Sequence, residues 1–568
     1  MNQKQIEVDV LVVGGGLAGM RAAIEAKAQG AKVLVAIKGK LGRMSAAVSA
    51  YHGAGVGPWG DPDDRKELHL KDVIKAGGYL ADQELCKIMI DELADRLIEL
   101  ERFGLYWERD DKGHIAPYLG SGHSKPRTIS TWLRQGGLGM IQALKLEILR
   151  KEIPVLEDTM VTKLLVNDGV VTGAMGLEYV NGEFVCIRAR ATIIATGAHS
   201  EVFPANTTPP EGTGDGPAMA YHAGAELMNM EHVVYVGTMD HPNAWRSMLV
   251  PTLFKVGGDT LHLLNKHGER FMERYDPEHL EMAAKDIIAS SIQREIKGGR
   301  GGADGDTFYA DLRHLPYEEA RQKLLDLVVC MEKMGLDVRK DLVPFRPAAH
   351  ETLGGVRINA ECESTIPGLY AAGSAIGAIY GNDGIPGRGT GHALVFGKRA
   401  GEYGGKRALG VAVPSTESKQ VEAERKRIFD VLDHTEGIRP IKALRKLQDI
   451  MGRHFGAVKS EAGLEEALRE VLRMREEDFP QLALSSCTRR FNLEWRRALE
   501  MGNLIDVSEM MIRSAMMRKE TRTMFMREDY PERDDTNWLK HIVVKKESDQ
   551  MDVDAIPIEL TYLRPEND

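Results

Sequence analysis

Three glycines near the start of the chain have the spacing that holds a diphosphate. Gly14, Gly16 and Gly19 follow the apolar run Val8–Val13 and precede a helical pattern over Met20–Gln29. In this arrangement Gly14 permits a tight turn, Gly16 lets a pyrophosphate approach the backbone, and Gly19 allows close packing of helix on strand. The helix N-terminus presents N–H groups that lack intrahelical partners and attract phosphate. The sequence therefore predicts a dinucleotide site at the first strand-to-helix turn.

The residue after the second strand distinguishes two kinds of dinucleotide. NAD-binding folds carry an acidic residue here for the ribose hydroxyls, but Lys38 follows the strand Lys32–Ile37. Two later apolar strands end in turns of small residues, at Thr196 and Gly197 and at Gly373. Such turns let the backbone approach an extended cofactor, although ordinary strand ends are the alternative. Together these features favour FAD over NAD.

The cysteines bear on metal chemistry and on the cellular compartment. No two of the five lie within a few residues of each other, so no CxxC or cluster-ligand run occurs. We therefore expect neither an iron–sulfur cluster nor any other metal site in this chain. Scattered thiols in a chain of 568 residues are typical of a reducing, cytoplasmic protein. The five are Cys86, Cys186, Cys330, Cys362 and Cys487.

The overall composition is that of an ordinary globular protein and argues against several functions. Hydrophobic residues make up 43% and charged residues 28%, enough for a sizeable core. A formal net charge of −10 gives no support to nucleic-acid binding. The segment Met1–Glu7 lacks the features of a secretory signal, and no run of about 18 apolar residues predicts a membrane span. Any association with a membrane is then expected to pass through a partner protein.

The pattern of apolar residues changes along the chain and divides it. The first 225 residues have alternating strand and helix patterns, including a long helical pattern over Asp82–Phe103. Mixed patterns with a glycine-rich loop at Gly298–Asp306 follow between 226 and 343. Strand and turn patterns then return, with a helix over about Thr390–Ala408. Residues 418–518 are highly charged and helical, and 519–568 have the composition of a polar tail.

Eight segments spread over nearly the whole chain resemble the flavoprotein subunits of the fumarate reductase and succinate dehydrogenase superfamily. L-Aspartate oxidase and the alpha chain of adenylylsulfate reductase are its relatives. The resemblance implies an α/β fold: a Rossmann-like FAD-binding domain (1–225 and 344–412) interrupted by an α+β capping domain (226–343), then a C-terminal helical domain (418–518) and a tail (519–568). The segments are Val13–Gly19, Leu41–Gly57, Gly122–Thr128, Thr213–Gly216, Arg346–Gly355, Gly368–Gly373, Ala393–Gly397 and Arg533–His541.

The resemblance also assigns residues to the cofactor. A lysine after the second strand is common in this family, so Lys38 fits it, and Ser45 and Gly53 are expected on the loop beneath the flavin ring. Asp215 is expected near the cofactor in the same domain. Respiratory members attach FAD to a histidine that follows a serine of this loop, but here Ala46 follows the serine. We therefore expect non-covalent FAD, with the lower reduction potential that favours reduction of substrate.

Members of this family transfer a hydride between the flavin and a carbon of a dicarboxylate, with cations for the carboxylates and a proton donor. His350 stands where the family has a substrate-binding histidine. Arg346 precedes it and either contributes charge or braces the loop. Lys285 occupies the place of the proton-donating arginine, and burial beside other cations lowers the pKa of a lysine toward a value suited to donation. Arg388 either replaces a carboxylate clamp or contacts the FAD pyrophosphate.

Two further positions depart from the family pattern. Val236 stands where the family has a second histidine, and Asp383 stands where it has a carboxylate-binding arginine. The features that bind the cofactor are therefore complete, whereas the clamp for two carboxylates is reduced. These departures from the family pattern thus predict a substrate whose shape or charge differs from that of fumarate.

The resemblance leaves three functional hypotheses. The first is a flavin subunit that reduces or oxidises an unsaturated or dicarboxylic acid and exchanges electrons with a separate iron–sulfur protein in a hetero-oligomer. The second is an enzyme for another substrate, such as adenylylsulfate. The third is an electron-transfer subunit whose substrate pocket has decayed. A soluble carrier or oxygen, as in aspartate oxidase, is the alternative to the iron–sulfur partner.

Overall fold

The computed structural model describes residues 3–131, 136–241, 261–283, 285–302, 305–412 and 418–565. Its strands in chain order are β1 (Gln3–Val13), β2 (Val33–Ala36), β3 (His52–Ala54), β4 (Thr128–Ser130), β5 (Val155–Leu156), β6 (Thr159–Asn167), β7 (Val170–Glu178), β8 (Glu183–Ile194), β9 (Leu227–Met228), β10 (Val233–Met239), β11 (His262–Leu264), β12 (Phe308–Asp311), β13 (Val343–Thr352), β14 (Gly355–Val356), β15 (Leu369–Ala371), β16 (Val458–Lys459), β17 (Met526–Arg527), β18 (Lys540–Glu547) and β19 (Gln550–Pro557).

The same ranges contain helices of between 4 and 25 residues. They are α1 (Leu17–Ala28), α2 (Lys66–Ala76), α3 (Gln83–Arg102), α4 (Gly136–Arg150), α5 (Asp215–His222), α6 (Met272–Tyr275), α7 (Lys285–Lys297), α8 (Tyr317–Lys323), α9 (Leu325–Lys333), α10 (Arg388–Gly410), α11 (Ser418–Asp430), α12 (Pro440–His454), α13 (Glu461–Arg473) and α14 (Leu493–Met517). Within the described ranges, no helix combines enough length and apolar character to span a lipid bilayer.

A central sheet brings the strand ends of the predicted cofactor site together. Its order is β5-β2-β1-β8-β7-β6, and β15 pairs with the end of β8. Strands β1, β2, β5, β8 and β15 are mutually parallel. In the register, Val13 faces both Ala36 and Ile194, and Ile194 faces Ala371. Because parallel strands end at one edge of a sheet, the turns after β1, β2, β8 and β15 all lie at that edge.

Helices α1 and α10 pack together against this sheet through small residues. A Cβ added to Gly397 would lie 2.7 Å from the carbonyl oxygen of Ala18, and one added to Gly401 would lie 2.2 Å from that of Ala22. Both distances are shorter than a carbon–oxygen contact allows, so the two helices approach as closely as their backbones permit. This contact fixes the start of α10 relative to the first glycine turn.

A second sheet, of order β10-β13-β12-β11, forms the capping region. Its strands are antiparallel, and in the pairing of β10 with β13 Val234 faces Glu351 and Val236 faces Ala348. Strand β13 belongs to this sheet by hydrogen bonding, although the sequence places the domain boundary at 343/344. Residues 343–352 therefore connect the capping sheet to the FAD-binding domain and carry His350 between them.

The C-terminal part packs back onto the first domain. Helices α12, α13 and α14 contact one another, and α14 also contacts α5. The hairpin of β18 and β19 continues a four-stranded sheet of order β14-β9-β18-β19. Arg518, Arg522 and Arg527 are fully buried in this region. Residues 519–565, expected as a polar tail, are thus part of the folded body.

Candidate functional site

The strand ends, the loop after β2 and the start of α10 enclose one continuous cleft. Ten of the 14 residues that the sequence proposes for cofactor and substrate lie along its described walls. Those that line it are Gly14, Gly16, Lys38, Ser45, Thr196, Gly197, Asp215, His350, Gly373 and Arg388, together with Glu351, which sequence reasoning missed.

The three glycines of the first turn differ in the space beside them. Gly14 has a φ of +117°, and a Cβ there would lie 2.2 Å from the carbonyl oxygen of Ala195. A Cβ on Gly19 would lie 2.0 Å from the carbonyl oxygen of Gly14. Among the residues that the structure describes, only Ser45 comes within 4 Å of a Cβ added to Gly16, with its Oγ 3.2 Å away, and no side chain caps α1 at this residue. The cleft beside Gly16 thus has the room and the uncapped N–H groups that a pyrophosphate requires.

Lys38 is held at the end of β2 by carboxylates from two parts of the chain. Its Nζ lies 2.8 Å from Asp215 Oδ2 and 2.9 Å from Glu500 Oε1 of α14, and it donates to Thr213 Oγ1 at 2.6 Å. Burial alone would lower the pKa of Lys38, but Asp215 and Glu500 raise it overall. The lysine is therefore a fixed cation. Asn503 also donates to Asp215 at 2.8 Å, so α14 braces this end of the cleft.

The turns after β8 and β15 present groups suited to a bound cofactor. Gly197 and Gly373 have φ values of +82° and +68°, which favour glycine. A Cβ on Gly373 would lie 2.7 Å from Ala18 Cβ. The Oγ1 of Thr196 and the Oε2 of Glu211 are buried in the cleft wall without a hydrogen-bond partner in the described structure. Because buried polar groups are normally satisfied, these atoms fit an extended polar ligand such as FAD.

The loop after β2 carries the residues that decide how a flavin is attached. Ser45 begins a short 3-10 turn over Ala46–Ser49, and its Oγ accepts a hydrogen bond from the Ala47 N–H at 3.3 Å. Ala46 lines the cleft and has no nucleophilic atom. Gly53 lies in β3 outside the lining residues, where a Cβ would lie 2.6 Å from Leu97 Cδ2. Gly53 thus allows close packing behind the loop.

We predict that FAD leaves the protein completely on denaturation. The side chain at position 46 offers no imidazole for a covalent bond to the flavin. Acid precipitation should therefore release all yellow colour into the supernatant, measured by absorbance of supernatant and pellet. Flavin that stays with the washed pellet would contradict non-covalent binding. The variant Ala46→His serves as a comparison, since it restores the residue type that other members use.

His350, Glu351 and Arg388 meet at the far end of the cleft. His350 Nδ1 lies 2.7 Å from Thr207 Oγ1, which orients the ring. Arg388, the first residue of α10, donates from Nη2 to Glu351 Oε2 at 3.1 Å. Val234 and Val236 add an apolar wall. This end therefore combines an imidazole, an ion pair and a surface that excludes water.

Arg346 and Asp383 lie elsewhere, and the side chain of Lys285 is not described. Arg346 is absent from the described lining of the cleft and binds Asp240 at 2.8 Å, an ion pair between β13 and the end of β10. Asp383 is likewise outside that lining, and its Oδ1 accepts a hydrogen bond from the Gly384 N–H at 2.6 Å. Lys285 is the first residue of α7, but its side chain lies outside the described structure. The roles proposed for Arg346 and Lys285 stay predictions.

A buried histidine supports the loop that leads to Arg388. His123 Nε2 lies 2.9 Å from the carbonyl oxygen of Pro386, and Arg127 Nη1 lies 3.2 Å from its Nδ1. Arg127 in turn binds Asp64, with Nη2 2.6 Å from Oδ1. Burial, with a smaller contribution from Arg127, lowers the pKa of His123 to about 4, although the bond to Pro386 opposes the shift. The ring is therefore neutral near neutral pH.

Because the pKa of His123 is lowered in the folded protein, we expect the protein to lose stability in weak acid. Between pH 6.5 and about 4 the unfolded chain binds a proton at His123 and the folded chain does not, so stability is full above this window and falls as pH drops through it. The shift corresponds to about 3 kcal/mol at most. The thermal midpoint of His123→Gln should fall less than that of wild type between about pH 7 and about pH 5. His114→Gln, at an exposed histidine, is the control, and equal falls for all three proteins would contradict the prediction.

Fold and cleft together define a class of protein. The glycine turns, the parallel sheet and the unsatisfied polar atoms of the cleft are those of an FAD-dependent oxidoreductase. The sequence matches the description "FAD binding domain" over residues 9–387 and "Fumarate reductase flavoprotein C-term" over residues 444–568. The chain belongs to the fumarate reductase and succinate dehydrogenase flavoprotein family, and FAD is its cofactor.

Curated relatives match along nearly their whole length. The chain is 34% identical to a fumarate reductase (CoM/CoB) subunit of Methanothermobacter marburgensis, over 96% of this chain and 98% of that protein. It is 31% identical to a "Fumarate reductase flavoprotein subunit" of Mycobacterium tuberculosis, over 98% of both chains. The family expected from the sequence is confirmed.

Solved structures support the same fold. Sdh1 of Mycobacterium smegmatis is 29% identical with a TM-score of 0.90, over 99% of this chain and 96% of that one. A quinol fumarate reductase of E. coli is 27% identical with a TM-score of 0.90, over 99% of each chain. Adenylylsulfate reductase of Archaeoglobus fulgidus is 20% identical with a TM-score of 0.77, covering 99% and 98%, which shows a shared fold alone. The predicted fold class is confirmed.

Proposed function

We propose that this chain is the flavin subunit of an enzyme that reduces the carbon–carbon double bond of an unsaturated organic acid. The observation that supports it most is the continuity of one cleft from the glycine turn at Gly16 to His350 and Arg388. Gly14 and Gly16 would hold the phosphates of FAD, and the redox ring would then be expected near His350 and Arg388. The names of relatives, which include several fumarate reductases, favour an unsaturated acid as the substrate class.

FAD supplies the hydride in such a reaction, and the chain supplies position, charge and a dry site. His350, oriented by Thr207, donates or accepts a hydrogen bond at the substrate. Arg388 holds a carbonyl or carboxylate oxygen and favours the negative charge that develops there. Val234 and Val236, 2% and 7% exposed, keep water from the reacting carbon.

A proton must reach the carbon next to the one that receives the hydride. Lys285 is our candidate for this step, because it stands at the start of α7 where the family has a proton-donating arginine. An ammonium donates a proton efficiently when its pKa is lowered toward neutrality by burial or by neighbouring cations. The observation that favours Lys285 is its position in the sequence.

Electrons are proposed to come from a separate iron–sulfur protein. The described part of the chain contains no group of three or more histidine, cysteine or acidic side chains placed to hold a metal ion. Cys86, Cys186 and Cys362 are buried singly. The relatives are named as subunits, which fits a chain that works with a partner. A soluble carrier or oxygen is the alternative electron partner.

An anaerobic reoxidation assay tests the proposal. The holoenzyme is reduced with dithionite and mixed with a panel of unsaturated acids, adenylylsulfate and oxygen, while the flavin absorbance is followed. Rapid reoxidation by at least one unsaturated acid, with formation of the saturated product, is the expected result. Reoxidation by adenylylsulfate alone would favour the second hypothesis from the sequence. Reoxidation by none of the organic compounds would overturn the proposed reaction and favour an electron-transfer role.

A further inference from the structure

The charges that line the cleft are an unexpected feature for a site that takes dicarboxylates. Among the described lining residues the lysines and arginines are Lys38 and Arg388, and the carboxylates are Glu211, Asp215 and Glu351. Lys38 is bound by Asp215 and Glu500, and Arg388 is bound by Glu351. Each cation of the described lining is therefore already neutralised by a carboxylate of this chain.

The pair of Arg388 and Glu351 is built into the reactive end of the cleft. Arg388 is 8% exposed, and its guanidinium lies over the ring of Tyr380 with 5.2 Å to the centroid. Burial alone would raise the pKa of Glu351, but the positive charge of Arg388 above all lowers it overall, so the carboxylate is ionised. Burial lowers the pKa of His392 to about 4, so this neighbour is uncharged near neutral pH. The pair thus has no net charge.

One donor of this pair remains for a ligand. Arg388 Nη1 is buried and has no hydrogen-bond partner in the described structure, whereas Nη2 is occupied by Glu351. The other carboxylate oxygen of Glu351, Oε1, has a long contact of 3.4 Å from Ser374 Oγ. A single substrate oxygen satisfies Nη1, because buried polar groups require partners. Within the described lining, a second anionic group placed nearby meets the Glu351 carboxylate and the apolar wall of Val234 and Val236.

We propose that Glu351 makes the enzyme selective for unsaturated acids with at most one negative charge, and against dicarboxylate dianions. The proposal rests on the proposed function and specifies its substrate class. Specificity is a difference between two affinities, and a like charge facing the wrong ligand is an effective way to create that difference. Such a juxtaposition is costly inside a partly dry site, where charges are poorly screened.

Binding of saturated analogues tests the charge preference without requiring turnover. Oxidised holoenzyme is titrated with succinate and with monomethyl succinate, and the change of the flavin spectrum gives each Kd. The monoester is expected to bind at least about tenfold more tightly. Monomethyl fumarate should likewise reoxidise the reduced flavin faster than fumarate does. Tighter binding of succinate, or no binding of either compound, would overturn the proposal.

The variant Glu351→Gln removes the charge and keeps the shape. It is expected to reduce the preference for the monoester at least about tenfold, because Arg388 then keeps its full positive charge for a second carboxylate. Glu226→Gln is the matched control, since Glu226 pairs with Arg357 at 2.6 Å outside the described lining of the cleft. An unchanged preference in a Glu351→Gln protein with bound FAD would contradict the role of Glu351. If the Glu351→Gln protein loses FAD, the Kd values of the wild-type protein for succinate and monomethyl succinate decide whether the proposal holds.

The two proposals fail in different ways. If neither charge class reoxidises the reduced flavin but monomethyl succinate still binds more tightly, the proposed reaction is wrong and the charge selection stands. If fumarate reoxidises the flavin faster than its monoester and succinate binds more tightly, the reaction stands and the selection is wrong.

Discussion

Replacing Gly16 by valine is expected to give a folded protein that contains no FAD. Gly16 has φ −79° and ψ −167°, an extended conformation that any residue adopts, and among the described residues only Ser45 lies within 4 Å of an added Cβ, with its Oγ at 3.2 Å. The valine is therefore compatible with the backbone after a small shift of Ser45, and it occupies the space beside the uncapped N-terminus of α1. Hydrogen bonds to a charged group contribute about 1.5–3 kcal/mol each, so losing two lowers affinity by a factor on the order of 100 or more.

The flavin-to-protein absorbance ratio of the purified variant measures this effect. Gly410→Val is the matched control, because no atom of the described residues lies within 4 Å of a Cβ added to Gly410, which ends α10. Circular dichroism should show that both variants are folded, and the thermal midpoint of Gly16→Val should match that of wild-type apoprotein. Since a ligand at about 1,000 times its Kd stabilises by about 4 kcal/mol, the holoenzyme should melt at a clearly higher temperature. A yellow Gly16→Val protein would show that the phosphates bind elsewhere.

Local patterns in the sequence were sufficient for several elements of the fold. The helical pattern over Asp82–Phe103 corresponds to α3, Gln83–Arg102, and Asp82 caps it by accepting from the Leu85 N–H at 3.0 Å. Gly14, Gly197 and Gly373 could be recognised because they have a positive φ, which favours glycine. Such constraints act within a few residues, so they are visible in one sequence.

The charge arrangement of the site could not be predicted in the same way. Arg388 and Glu351 are 37 positions apart, and Glu500 reaches Lys38 from near the opposite end of the chain. Only the folded sheet brings these groups within hydrogen-bonding distance. Glu351 did have a local signal, a carboxylate directly after His350, which departs from a site built to bind anions. Glu500 had none, because an acidic residue on a charged helix is usually solvated.

The hairpin of β18 and β19 was missed for a related reason. Its residues are largely polar in composition, and strand pairing with β9 depends on a partner more than 300 positions away. Val543 faces Met228 and Val544 faces Leu227 across that pairing. A short apolar stretch inside a polar segment indicates a strand only when a sheet edge is available to receive it.

Replacing His350 by glutamine is expected to lower turnover about 100-fold or more while FAD content stays unchanged. The ring lines the same cleft as Arg388, and Thr207 fixes its orientation. Glutamine offers hydrogen bonds, but it lacks the rigid ring that Thr207 orients toward the substrate. The loss should therefore appear in kcat as well as in kcat/KM, which marks an interaction that is stronger in the transition state than in bound substrate. Reoxidation of the reduced flavin, followed by stopped flow, measures the chemical step directly.

Two further variants distinguish a role of His350 in the reaction from a structural role in holding its strand. Thr207→Val removes the 2.7 Å contact to Nδ1 and leaves the ring, so its loss of turnover should be smaller, about tenfold or less. Arg346→Gln breaks the ion pair with Asp240 that joins β13 to β10, and should lower the thermal midpoint more than His350→Gln does. A larger kcat loss for Arg346→Gln than for His350→Gln would indicate that the substrate reacts closer to Arg346 than to His350. It would also require a different approach of the substrate, since Arg346 lies outside the described lining of the cleft. The relative kcat losses of these three variants therefore test whether the imidazole of His350 takes part in the reaction or only holds the strand that carries it.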